Sequence, residues 1–338
     1  MPQSAKTRFL VTIDVETMMR GNAERDILGI LPGRSDRFGI ERMMGLLESR
    51  HMRATFFLNV YEIAKHGEAS IAAVAKLIHS RGHDLELHTH PQPMYPYYGI
   101  GRAPYEEQVE ILEKGASLIE AWTGKRPLVH RAGAFLANLN TLQALERLGF
   151  QADSSLAPGS RLDLPLVHEL GASNLPQCVG DVLEVPVTYF DQLRLGPWSL
   201  RRTLDIEGCS LAEIEHVTRW AVRHACPTVC LLMHSFSFDR HGKPAWRVIR
   251  RFEALLTWLD QQDGIEVDTV DHAYQTTPMD TPVQRSIRAP YTGVWMTWCR
   301  ALVAWKDGWK NFLVACTGLA CFAMLAAVVV FVGYVFLK

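Results

Sequence analysis

From Arg8 to about Asp271, short runs rich in β-branched and aromatic residues alternate with helical stretches. The runs that read as strands are RFLVTID (from Arg8), RATFFLN (from Arg53), HDLELHTH (from His83), PLVHRA (from Pro127), FQADS (from Phe150), VLEVPVTYF (from Val182), TVCLLMHSF (from Thr228) and IEVDTV (from Ile265). This alternation predicts βα units around a mainly parallel sheet, and about seven or eight such strands suit a barrel. Two of the intervening helices carry clear end signals. SLAE, Ser210 to Glu213, is a capping box ahead of IEHVTRWAVRHA, and NTLQALERLGF stops at Gly149, where a left-handed cap is easiest for glycine.

HDLELHTH shows why strand period matters for chemistry. Alternation places Asp84, Glu86, His88 and His90 on one face and Leu85, Leu87 and Thr89 on the other. The polar face therefore ends in His-x-His, a pair able to grip a metal from one side. A surface strand with polar outward positions is the plain alternative.

The pattern changes at the C-terminal end. TTPMDTPVQRSIRAP, Thr276 to Pro290, reads as a linker, so the barrel is expected over 1–275 and the linker over 276–293. Phe312 to Leu337 contains no charged residue and exceeds the roughly 20 residues needed to span a bilayer, which predicts a transmembrane helix over 312–337. The segment before it, 294–311, holds Trp295, Trp298, Trp305 and Trp309 with Arg300, Lys306 and Lys310, an interfacial pattern whose charges place the main domain on the cytoplasmic side. The N-terminus has only a short apolar run, Phe9 to Ile13, cut off by Asp14, so no cleaved signal peptide is expected. The expected topology is a single-pass C-terminal anchor.

Composition narrows the partners. A formal net charge of -1 supplies no basic footprint for nucleic acid. The 7 cysteines form no CxxC and suit a reducing compartment better than a disulfide framework.

In a parallel β/α barrel the chemistry gathers where strands end. Here the first strand ends in TIDVE with Asp14 and Glu16, the third in His88 and His90, the fourth in HRAG with Arg131, the fifth in DSS with Asp153, and the seventh in MHSFSF with His234. Each residue has a structural alternative: Arg131 a salt-bridge partner, Asp153 a helix cap, His234 a core histidine. Their recurrence on one rim favours a site.

The series TIDVE, GHDLELHTHP, HRAG, GFQADSSL and LLMHSFSF resembles the polysaccharide deacetylase family, the NodB homology domain, in the broad group of family four carbohydrate esterases. The resemblance runs from about Arg8 to Asp271. It implies a distorted (β/α)7 barrel that removes an acyl group, most often N-acetyl, from a sugar with one divalent metal. By resemblance, Asp14 is the base, Glu16 and His88 are metal ligands, Arg131 orients the base, and His234 is the general acid, with Asp153 assigned to tuning it. Where the family spaces its histidines H-x3-H, this chain has Gln92. Either His90 supplies the second imidazole, as in H-x-H-P variants of this broad group, or the site is weaker. DVE in place of adjacent aspartates leaves the split of base and ligand between Asp14 and Glu16 open.

These groups together describe a hydrolase. A metal held by Glu16, His88 and His90 polarises the carbonyl and acidifies water, with zinc the first expectation and cobalt, nickel or iron compatible with the donor set. The expected partners are an acylated sugar or glycan precursor, lipid-linked or nucleotide-linked, and the membrane. Tyr95, Tyr97, Tyr98 and Tyr105 in the loop after the third strand are candidates to stack on sugar, and the insertion Arg20 to Gly39 is expected to overhang the site. Two other readings stand beside this one. One is a degenerate barrel that binds glycan without chemistry, supported by Gln92; the other is deformylation of a lipid-linked amino sugar.

Overall fold

The computed structural model describes residues 6–195, 198–276, 289–293 and 295–296. Its strands are β1 (Thr7–Val15), β2 (Thr55–Asn59), β3 (Asp84–Thr89), β4 (Val129–Ala132), β5 (Ala152–Asp153), β6 (Gln177–Val179), β7 (Val182–Glu184), β8 (Tyr189–Leu195), β9 (Trp198–Thr203), β10 (Thr228–His234), β11 (Asp239–Arg240), β12 (Lys243–Pro244) and β13 (Ile265–Asp268). The main sheet runs β10-β1-β2-β3-β4-β5-β7-β6, parallel up to β7, with β6 antiparallel at the edge. β1 is shared on one side, by β13 along its first half and β2 along its second.

The period of two divides the core in two. Phe9, Val11, Ile13, Phe56, Leu58, Leu85, Leu87, Leu231 and Met233 face outward into a large cluster with the helices. Leu10, Phe57, Val129, Ala152, Cys230 and Leu232 face inward and fill the hollow of the sheet. Burying each large apolar side chain contributes about 1.5–3 kcal/mol, so both faces oppose a one-residue slip of any strand. That register sets Asp14 opposite His234, and His88 opposite both Asn59 and Arg131, towards the C-terminal ends of their strands.

The expected distorted (β/α)7 barrel takes the form of an α/β half-barrel. Among the described residues no ladder joins β7 to β10. The gap is spanned by irregular chain, where Thr188 N–H donates to Cys230 O (3.2 Å), Val187 N–H to Leu156 O (2.9 Å) and Ile206 N–H to Leu232 O (3.1 Å). VLEVPVTYF is correspondingly two strands rather than one. Pro186 lacks an amide hydrogen and breaks the ladder between β7 and β8. β6, β9 and the rest of β8 were not legible as strands.

The predicted helix ends are present. Ser210 and Glu213 form a reciprocal capping box on Leu211–Arg223, and Gly149 follows Leu139–Arg147 with φ 78°. Residues 289–293, expected as linker, lie against the domain: Asp191 N–H donates to Pro290 O (2.8 Å) and Thr292 N–H to Asp191 O (3.1 Å). Among the described residues no helix is long and apolar enough to cross a membrane, and the span expected at 312–337 lies outside them, as does most of 294–311.

Candidate active site

Glu16, His88 and His90 converge just beyond the ends of β1 and β3. Glu16 Oε2 lies 2.9 Å from His90 Nε2 and 3.7 Å from His88 Nε2. Nitrogen and oxygen donors from the three residues fall within 4.8 Å of one another. Burial alone would raise the Glu16 carboxyl, yet hydrogen bonds and charge from the two imidazoles hold it well below the ordinary carboxylate range. The same contacts raise His90 against the opposing effect of burial.

The donor chemistry fits a metal. His88 Nδ1 lies 3.0 Å from Arg131 O, and a carbonyl only accepts, so Nδ1 carries the proton and Nε2 keeps its lone pair. That Nε2 is buried without a hydrogen-bond partner. An orphaned imidazole lone pair facing a carboxylate and a second imidazole is a three-donor set suited to zinc.

Asp14 is held differently. Arg131 is fully buried and donates from Nη1 to Asp14 Oδ1 (2.8 Å) and Thr12 Oγ1 (2.9 Å), from Nε to Ser154 O (3.0 Å), and from Nη2 to Ser154 Oγ (2.9 Å). Its guanidinium also covers the Phe57 ring at 4.2 Å. Asp14 is thus an oriented carboxylate, whereas Glu16 faces the histidines.

His234 lies across the site, its Nε2 4.0 Å from Glu16 Oε1. Its Nδ1 is 3.2 Å from Glu207 Oε1, and its ring stacks on Phe236 at 4.9 Å. Burial disfavours the charged ring, but Glu207, with Asp14 and Glu16, holds its pKa up to about 9. Ser237 Oγ donates to Glu207 as well, completing a carboxylate–imidazole pair.

Asp153 is corrected. It does not reach His234; its Oδ1 takes a 2.6 Å bond with His130 Nδ1 and accepts from Ser155 Oγ (3.0 Å) on the outer side of the sheet, where His130 Nε2 meets Thr89 Oγ1 at 2.9 Å. The partner of His234 is Glu207. That residue lies in an irregular turn before the helix Leu211–Arg223, and no strand end or motif pointed to it.

Two more residues shape the site. A Cβ at Gly133 would meet His90 Cγ at 2.4 Å, so the glycine of HRAG lets the His90 ring lie against the chain after β4. Ala134 and Phe135, which follow, have φ of 51° and 57°. These are uncommon conformations for side-chain-bearing residues, kept in place by the packing around them.

A cleft of about 510 Å³ opens over Glu16 and His90, walled by Met18, Met19, Tyr98 and Phe236 among others. Of the four loop tyrosines only Tyr98 lines it. Tyr95 packs on Tyr61, Tyr97 donates to Glu107 (2.9 Å), and Tyr105 lies under Arg147. The insertion Arg20 to Gly39 contributes no lining residue: Ile27, Leu31 and Phe38 draw it into the core, and the chain just before it, Met18 and Met19, reaches the cleft instead. Gln92 lines the cleft as well.

Residues 35–152 match the family model described as polysaccharide deacetylase. That stretch is similar to the polysaccharide deacetylase family. The matched stretch contains His88, His90 and Arg131, while Asp14, Glu16 and His234 flank it. The family is one of metal-dependent hydrolases acting on amide bonds. The peptidoglycan deacetylase-like protein FGM2 of Gibberella zeae is 28% identical over 163 residues, 45% of this chain and 44% of that protein, so the match spans less than half of that relative. In fold, a Mycobacterium smegmatis structure assigned to the polysaccharide deacetylases is similar at 20% identity, covering 81% of this chain and 91% of that one with a TM-score of 0.54. Puue allantoinase is similar at 14% identity over 81% and 91%, with a TM-score of 0.52. At these identities the structural likeness is one of architecture, the α/β half-barrel.

Proposed function

We propose that this protein is a metal-dependent amidohydrolase that removes an acyl group, N-acetyl first, from an amino sugar of a glycan or of a lipid- or nucleotide-linked glycan precursor. The observation that carries the reading is the convergence of Glu16, His88 and His90 around an unpartnered imidazole lone pair, with the Arg131-bound Asp14 carboxylate and the Glu207-paired His234 imidazole on either side.

Glu16, His88 and His90 would hold the metal, which supplies Lewis acidity toward the acyl carbonyl and toward water. Asp14, locked by Arg131, takes the proton of the attacking water. His234, kept protonated by Glu207, gives its proton to the departing nitrogen, which leaves as an amine rather than an unstable anion. Tyr98 offers an exposed ring in the cleft for a sugar face.

The apolar run 312–337 and its tryptophan- and lysine-bearing flank support action at a membrane, with the domain on the cytoplasmic side. Anchoring of this kind raises the effective concentration of a membrane-borne substrate.

The test is acetate and formate release by the full chain, supplied with zinc or cobalt, from N-acetylated and N-formylated glycan precursors. Acetate release is the expected result. Formate release alone would move the assignment to a deformylase, and no release from either, at full metal occupancy, would leave a glycan-binding barrel.

A further inference from the structure

Asn59 ends β2 on the inward face, two residues beyond Phe57, and so stands in the rim between the strand that carries Glu16 and the strand that carries His88. Its register partner is His88 itself. The residue is 2% exposed yet lines the cleft together with Glu16 and His90.

Its carboxamide has one oriented end. The His90 backbone N–H donates to Asn59 Oδ1 at 3.3 Å. Because a backbone N–H can only donate, the oxygen must take that side, and the Nδ2 donors are turned away from it. Nothing in the reaction outlined above uses them.

We propose that Asn59 is a further catalytic residue that donates an Nδ2 hydrogen bond to the acyl oxygen of the bound amide, a contact that strengthens as that oxygen gains negative charge. The chemistry needs such a donor. Attack of water on an amide carbon moves the carbonyl π electrons onto oxygen, and a neutral donor fixed in place before reaction stabilises that charge without reorganising. A strand-end carboxamide pinned by the ligand-bearing loop is preorganised in this sense, with little rotamer freedom left to lose. The inference rests on the amidohydrolase reading for its substrate class.

The experiment measures two quantities on the full zinc-loaded chain in detergent: zinc content, and the affinity of acetohydroxamate, whose oxygens imitate the charged acyl group. The variants are Asn59→Asp, which keeps an acceptor for His90 N–H and removes the donor, and Asn59→Leu, neutral and of similar size. Losing one hydrogen bond to a charged oxygen predicts acetohydroxamate binding weaker by roughly tenfold or more in both, at unchanged zinc content. Unchanged affinity in Asn59→Leu would overturn the proposal. So would weakening that merely tracks zinc loss, since Asn59 would then act only by holding His90. Neither readout requires turnover, so acetate release by the wild-type protein judges the hydrolase reading separately.

Discussion

Glu207→Gln is the substitution that isolates the acid half of the proposed chemistry. Glu207 Oε1 is 3.2 Å from His234 Nδ1, and its carboxylate is the largest influence holding the ring's pKa up to about 9 against burial. The glutamine is isosteric and can still accept a hydrogen bond, so the change removes charge more than shape. A facing opposite charge at this range is worth about 1–3 pKa units. Loss of it lowers the His234 pKa, because the imidazolium loses its counter-charge while the cost of burial stays. A general acid works only when protonated, so the alkaline limb of kcat/KM falls as pH passes this pKa. The variant's limb should therefore move down by roughly one unit or more, leaving activity near pH 6 less affected than activity near pH 8. A metal cation beside Glu16 lowers the pKa of wild type and variant alike, so the difference between their profiles is the quantity to compare. The assay is acetate release across pH for both proteins at equal metal occupancy. An alkaline limb that does not move, at any loss of rate, would refute the assignment of Glu207 as the partner of a general acid.

Arg131→Met strands the Asp14 carboxylate in a buried position, which costs about 3–5 kcal/mol, so thermal or denaturant unfolding should show a loss of that size; a change under about 1 kcal/mol would contradict the role given to the arginine. Gly133→Ala places a methyl group where the His90 ring now lies, and zinc affinity by competition with a chelator should weaken by roughly tenfold or more; unaltered affinity would mean that His90 has room to move without leaving the ligand set. Asp153→Asn should cost about 1–3 kcal/mol of stability through the His130 pair yet leave the alkaline limb where it is, whereas a shifted limb would show that Asp153 reaches His234 after all.

The site was legible in the sequence because it is built on strand ends. Period two places Asp14 and Glu16, or His88 and His90, on a shared face, and the parallel order puts those ends on one rim. What that period cannot report is which neighbour a polar residue meets. Asp153 and His130 sit opposite one another in β5 and β4, on the outer face, and this pairing rather than chain position decides the partner of Asp153. Glu207 escaped because an irregular turn carries no periodicity. The open sheet was also hidden. Closure depends on whether irregular segments such as 187–188 and 204–206 make ladders, and Pro186 weighs against that only once the neighbouring strands are known. The tyrosine loop misled through composition: three of its four rings find partners on the helix Tyr105–Thr123, in the core or on Arg147, leaving Tyr98 in the cleft.

The most direct test of the account is the metal content of the purified full chain and of His88→Ala, His90→Ala and Gln92→Ala, by elemental analysis after exposure to zinc. The geometry of Glu16, His88 and His90 predicts about one equivalent in the wild type, lost in both histidine variants and kept in Gln92→Ala. No metal in the wild type, or metal retained by His90→Ala and lost with Gln92→Ala, would contradict a site built on His88-x-His90.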